Sequence, residues 1–231
     1  MRQLLPVARD PVDPAEVYAD LPVAEGRAGV RLNMIASADG ATTLAGVSGG
    51  LGGPADRAVF HALRALADVV LVAAGTVRAE RYGPADVPIA VVTRSCRLDW
   101  DSPFFTAQHA RPIVVTVEAA PAAELAEAHE VADVIVAGAR NVDLTVAVAE
   151  LTGAGYASVL AEGGPSLNGQ LAQAGLLDEL CLTVAPTLAG GTAKRILAGG
   201  TPAGSGALRL HGLCEDDGFL FLRLRPAEDP P

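Results

Sequence analysis

The sequence predicts an α/β fold: a mixed, mostly parallel sheet with helices on both faces and antiparallel strands toward the C-terminal end. Two observations carry this expectation. From Val30 to about Gly175, short apolar runs alternate with stretches of helical periodicity, as parallel strands buried on both faces require. After Leu176 the helical stretches stop and three apolar runs follow, as neighbouring antiparallel strands require. With 231 residues, half of them hydrophobic, the chain can bury one substantial core.

Each element has a local reason. Residues 1–28 hold several prolines and little periodicity, which predicts an arm packed across a single domain spanning 29–231. Val30 to Ala36 alternates and then becomes wholly apolar, as a strand entering a core does. A glycine-rich loop runs from Ser37 to Gly53, and its Gly46 to Gly53 portion fits a flap over a ligand or a plain mobile connection. Pro54 then opens a helix in which Val59, Phe60, Leu63 and Leu66 recur at helical spacing. Val69 to Ala74 is a buried strand, and Ile89 to Val92, Ile113 to Val117, Val134 to Val136 and Val159 to Ala161 repeat the pattern. Helices are expected near Ala122 to His129, Asp143 to Leu151 and Ser166 to Ala174, and strands at Leu180 to Val184, Leu208 to Leu213 and Phe219 to Leu224.

A net charge of −10 with a single lysine, Lys194, argues against nucleic acid or an anionic membrane as partner. An anionic ligand must instead meet particular arginines, amides and helix ends. Cys96, Cys181 and Cys214 form no Cys-x-x-Cys pair, which argues against a disulfide framework or a zinc site, and no metal is expected. The absence of a signal-peptide core or a membrane-length apolar run predicts a cytoplasmic protein.

The most informative stretch is Ser158 to Gln170, where an apolar run meets a helix start through Gly163 and Gly164, with Pro165 and Ser166 in the first turn. Free amides and the helix dipole favour an anion there, although a tight turn alone explains two glycines. Asp39, after the first strand, fits a ligand anchor or simple Asp-Gly turn chemistry. Thr76 fits a ligand contact or a helix cap, and Arg94, flanked by Thr93 and Ser95, fits a phosphate grip or a solvated charge. Arg57, His61 and Arg64 share a helix whose charged outer face explains them equally well. No Gly-x-Gly-x-x-Gly follows Val30 to Ala36, and the Walker loop and His-Glu-x-x-His are absent.

Five segments taken in order resemble the pyrimidine reductases of riboflavin biosynthesis: Ile35-Ala36-Ser37-Ala38-Asp39-Gly40, Leu63-Arg64-Ala65-Leu66-Ala67-Asp68, Ala74-Gly75-Thr76-Val77, Ala161-Glu162-Gly163-Gly164-Pro165 and Leu177-Asp178-Glu179-Leu180. The resemblance implies a dihydrofolate-reductase-like fold, NADPH as hydride donor and a homodimer. It implies that Gly164 to Gln170 receive the NADPH diphosphate and that Ile35, Thr76 and Glu80 line the cofactor site with Gly163, Gly164, Pro165, Ser166, Leu167 and Asn168. Arg94 would favour the 2′-phosphate, Ser48 and Arg64 would contact substrate, and Asp39 and Glu162 would be the candidate polar or proton-transfer groups facing it, with solvent as the alternative proton source. The implied reaction reduces the ribosyl group of 5-amino-6-(5-phosphoribosylamino)uracil to ribityl. A pterin reductase of dihydrofolate type and a non-catalytic NADPH-binding module are the rival readings. Two departures stand out: Ala79-Glu80-Arg81-Tyr82, where many members resemble Ala-Asp-Asp-Pro, and Gly50-Leu51, where some carry an aromatic residue. The zinc deaminase signature often fused to such reductases is missing.

Overall fold

The structure, a computed structural model, describes residues 1–21, 25–44, 46–107, 109–199 and 206–227. In chain order its N-terminal half contains β1 (Arg2–Leu5), α1 (Pro14–Val17), β2 (Gly29–Ser37), α2 (Pro54–Ala65), β3 (Val69–Ala73), α3 (Ala74–Glu80), β4 (Ile89–Val92), α4 (Pro103–Thr106) and β5 (Ile113–Thr116). There follow α5 (Ala122–Val131), β6 (Asp133–Val136), α6 (Leu144–Gly153), β7 (Ser158–Ala161), α7 (Pro165–Gln173), β8 (Glu179–Ala185), β9 (Leu208–Asp216) and β10 (Phe219–Pro226). The strands form one sheet in the order β1-β9-β10-β8-β2-β7-β3-β4-β5-β6.

From β8 to β6 every neighbouring pair is parallel, whereas β8 with β10, β10 with β9, and β9 with β1 are antiparallel. β8 is therefore the joint between the two halves of the expected sheet. The inner strands are apolar on both faces, and Val30, Leu32, Val69 to Val72 and Val159 to Ala161 are all buried. Helix α2 begins at Pro54 and turns Val59 and Leu63 inward, with Asp56 in its first turn and Arg64 in its last, each suited to the helix dipole. The β9–β10 hairpin closes through Asp217-Gly218, both at positive φ, as a tight turn matching sheet twist demands.

Three features went unforeseen. The arm joins the sheet, because β1 pairs with β9 and covers an edge that would otherwise offer free backbone groups. Thr76 lies inside a short helix, α3, that starts directly at the end of β3, and α4 is a single turn set by Pro103. The arm is also pinned by charge. Glu179, fully buried at the start of β8, accepts from Arg31 (2.6 Å), from Arg223 (2.8 and 3.1 Å) and from Arg225 (3.0 Å). The same three guanidinium groups donate to the Asp20 carbonyl, and the Arg223 and Arg225 side chains also hold the Asp20 carboxylate. Against the opposing effect of burial, those two arginines keep the Asp20 carboxyl well below the usual carboxylate range.

Candidate active site

Parallel strands leave their carboxyl ends on one edge of the sheet, and there a cleft of about 810 Å³ opens between β2, α2, α3, the β7–α7 turn and the segment after β8. Gly164, Pro165, Ser166 and Leu167 form its floor at the start of α7. Gly164 is the N-cap and no side chain caps this helix, so first-turn amides face the cleft. A Cβ on Gly164 would lie 2.9 Å from Thr76 Oγ1, which also lines the cleft. The backbone thus approaches Thr76 in a way only glycine permits. Gly163 has φ +97° and the Gly163-Gly164 peptide is cis.

Glu162, the residue before this turn, has only 4 % of its side chain exposed. Arg64 donates to both of its oxygens through Nε and Nη2, each at 2.7 Å, and the Tyr82 hydroxyl donates to Oε2 at 2.6 Å. The Arg64 guanidinium lies over the Phe60 ring at 4.4 Å and the Tyr82 ring at 5.2 Å, so aromatic faces shield the pair from water. Burial, then the Glu162 charge, push the Tyr82 phenol well above its ordinary value and keep it a proton donor. Burial alone would lower the Arg64 guanidinium, but the Glu162 carboxylate outweighs it and raises it.

Two further carboxylates line the cleft. Glu80, near the end of α3, accepts from the Ser48 amide at 3.0 Å and clips the glycine-rich loop in place. Asp56 faces the cleft from the first turn of α2, one turn before Phe60. Burial pushes its carboxyl up, while the Thr183 hydroxyl and Arg57 act in the opposite direction. Arg57 and Lys194 also line the cleft, and both are exposed.

Of the residues expected from sequence, Ile35, Ser48, Thr76, Glu80, Glu162, Gly164, Pro165, Ser166 and Leu167 meet on this cleft. Five others lie off its lining. Asp39 is exposed, and its carboxylate accepts from the Ala189 amide (3.0 Å), the Gly190 amide (2.7 Å) and the Ser37 hydroxyl (2.6 Å). Those bonds, led by Ala189, lower its carboxyl to about 2. Asp39 therefore positions the segment that brings Thr192 and Lys194 to the cleft wall, and is not itself among the residues lining the cleft. Arg64 is turned inward onto Glu162. Asn168 is completely buried and donates to the Ile196 carbonyl at 2.7 Å, pinning that same segment. Gly163 packs behind the turn near Met34, and Arg94 stands exposed beyond β4, donating to Asn141 Oδ1 at 3.2 Å.

Sequence reasoning missed Asp56, Phe60 as a ring under Arg64, Tyr82 and Lys194. Asp56 is an ordinary dipole-favoured acid by sequence, and Phe60 an ordinary helix-core residue. Only Tyr82 carried a signal, since it falls in the segment that departs from the family pattern. Among the described residues no group of three or more His, Cys, Asp or Glu side chains is placed to hold a metal ion, and no helix is long and apolar enough to cross a membrane.

A mostly parallel sheet with its cleft at a glycine turn feeding a helix start is the architecture of the dihydrofolate-reductase-like oxidoreductases. The dihydrofolate reductase of Enterococcus faecalis shares this fold with a TM-score of 0.54 and 12 % identity, over 88 % of this chain and 98 % of that one. The chain belongs to the RibD C-terminal domain family, whose pattern matches residues 28–219, and it is a reductase of riboflavin biosynthesis. It is 34 % identical over 187 residues to the 2,5-diamino-6-ribosylamino-4(3H)-pyrimidinone 5′-phosphate reductase of Methanothermobacter thermautotrophicus, covering 74 % of this chain and 83 % of that relative. A pyrimidine reductase-like protein of Corynebacterium diphtheriae superposes with a TM-score of 0.81 and 27 % identity, over 94 % of this chain and all of the other.

Proposed function

We propose that this chain uses NADPH to reduce the ribosyl group of a 6-(5-phosphoribosylamino)pyrimidine to ribityl. The observation that carries the reading is that one cleft joins an uncapped helix start, suited to a diphosphate, to a wall carrying Asp56, Phe60 and the Glu162–Arg64–Tyr82 cluster. The residues fit the cofactor: Gly164 leaves no room for a side chain, and the α7 amides with Thr76 offer donors to a diphosphate. Arg94, at the same edge of the sheet beyond β4, is the candidate partner of the 2′-phosphate. Bound there, NADPH supplies a hydride to C1 of the sugar in its open imine form, and a proton completes the amine.

The protein's own part is to hold and orient. Glu162 has both oxygens occupied, so it fixes Arg64 and Tyr82 as a rigid wall instead of transferring the proton. With Arg64 committed, the 5′-phosphate falls to Arg57 and Lys194, exposed cations on the cleft in an otherwise acidic protein. Buried Cys96, Cys181 and Cys214, all free thiols, suit a reducing cytoplasm. Exposed Leu208, Leu210 and Leu220 on β9 and β10 offer apolar area to a second copy.

Parallel assays of NADPH oxidation with the phosphoribosylaminopyrimidines and with dihydrofolate test the reading. Turnover of a phosphoribosylaminopyrimidine with ribityl product is expected. Efficient reduction of dihydrofolate alone, or tight NADPH binding without any oxidation, would reject it.

A further inference from the structure

The cleft presents three carboxylates, and two are already occupied: Glu162 by Arg64 and Tyr82, Glu80 by the Ser48 amide. Asp56 differs. Among the described residues no backbone amide and no ion pair holds it, and its neighbours are the Thr183 hydroxyl on β8 and Arg57 beside it on α2. The backbone at Gly52 closes on it, since a Cβ there would lie 2.7 Å from Asp56 Oδ2. One turn along the same helix face, Phe60 offers an aromatic surface to the cleft. A carboxylate at the edge of a slot beside an aromatic ring suits a flat heterocycle with paired N–H donors.

The two candidate substrates differ at C2, which changes the N3 edge and also puts a proton on N1 of the uracil. In the diaminopyrimidinone, N3–H and the C2 amino group stand side by side as two donors. In the uracil, N3–H stands beside a C2 carbonyl, a donor next to an acceptor. We propose that Asp56 reads this edge, accepting from N3–H and the C2 amino group, and thereby selects the aminopyrimidinone over the uracil. The inference rests on the pyrimidine reductase reading above and deepens it.

The physical basis is complementarity and its opposite. Two charge-assisted bonds to one carboxylate give a bidentate pair. Against the uracil, one carboxylate oxygen would face the C2 carbonyl oxygen, leaving two acceptors opposed and one desolvated without a donor. A site built to bond a substrate N–H discriminates strongly against an analogue lacking it. Burial already strips Asp56 of part of its water, and paired N–H donors replace what is lost. A consequence for reaction order follows: hydrolytic deamination at C2 must act on the ribityl product of this enzyme, not on its substrate.

Asp56→Asn is the decisive variant, because a carboxamide presents one donor and one acceptor, matching the uracil edge. For the unaltered protein, kcat/KM is expected to favour the aminopyrimidinone by on the order of 100-fold, with Asp56→Asn equalising or reversing the preference. Calorimetric binding of the two ribitylamino products, without cofactor, should show the same reversal in Kd. Asp56→Ala should abolish the discrimination in either direction and serves if the Asn variant folds poorly. An unaltered protein that prefers the uracil, or an Asn variant that keeps the original preference, overturns the role of Asp56 and leaves the reductase reading standing. Failure of the unaltered protein to reduce either pyrimidine overturns both.

Discussion

Two buried carboxylates, Glu162 and Glu179, are each gripped by arginine, yet they serve different ends. Glu179 is fully enclosed between β2, β8 and β10 and faces the arm, so its three arginines link segments distant in sequence and lie off the cleft. Glu162 lines the cleft, and its partner Arg64 keeps 21 % of its side chain exposed. An arginine-bound buried carboxylate is thus no mark of a ligand site by itself. What separates the two is the route to solvent: the Glu162 cluster forms a wall that a ligand can touch, whereas the Glu179 cluster can act only on stability and on docking of the arm.

Removing each carboxylate should sharpen that contrast. Glu179→Ala leaves three largely buried guanidinium groups with Asp20 as the carboxylate beside them, and should cost about 3–5 kcal/mol of unfolding free energy in a urea titration. Glu162→Gln keeps the shape, and cleft water can solvate the released Arg64, so stability should fall by only about 1–2 kcal/mol. Its turnover should drop by on the order of 10-fold or more as the wall loses its fixed geometry. Equal stability losses with unchanged turnover would erase the distinction between the two clusters.

The same contrast explains what could be read from sequence. The parallel core was legible because Val69 to Val72 and Val159 to Ala161 are apolar on both faces, a signal contained within each segment. The β7–α7 turn at the floor of the cleft was legible for a similar reason: strand, glycine pair, proline and helix are consecutive. The arm's strand was not, since Arg2 to Leu5 has no alternation and forms only because β9 offers it an edge. Nor could sequence assign Asp39, whose carboxylate is claimed by amides 150 residues away. Arg64 was expected to contact substrate, and sequence could not show that its guanidinium is taken by Glu162, 98 residues downstream. Asp56 was invisible: an acid in a first helical turn needs no further explanation until Thr183 and Gly52 are brought against it by the fold.

A smaller effect is expected at the floor of the cleft. Gly164→Ala would place a methyl group 2.9 Å from Thr76 Oγ1 and force the turn away from α3. NADPH affinity should weaken by on the order of 10-fold, about 1.4 kcal/mol, with little change in melting temperature. Thr76→Ala in the same chain removes the clash, so it should recover part of that affinity even though the hydroxyl is gone. No recovery would show that the fault lies in the backbone conformation and not in the contact.

The smallest and most conditional effect belongs to Asp39, which stands between the two clusters in character: exposed, yet held by two amides and a hydroxyl. Its carboxyl is lowered from 3.8 to about 2, so the ionised form is the one the fold favours. Its stabilising contribution is therefore present above the unfolded value of 3.8 and is lost as pH falls toward 2. Asp39→Asn should melt slightly below the unaltered protein at neutral pH, and the gap should close as pH falls through that window. Because Asp39 holds the segment carrying Lys194, the variant should also raise KM for the phosphorylated substrate more than it lowers kcat. A gap in melting temperature that persists unchanged at pH 2 would mean that the carboxylate charge plays no part in fixing this wall of the cleft.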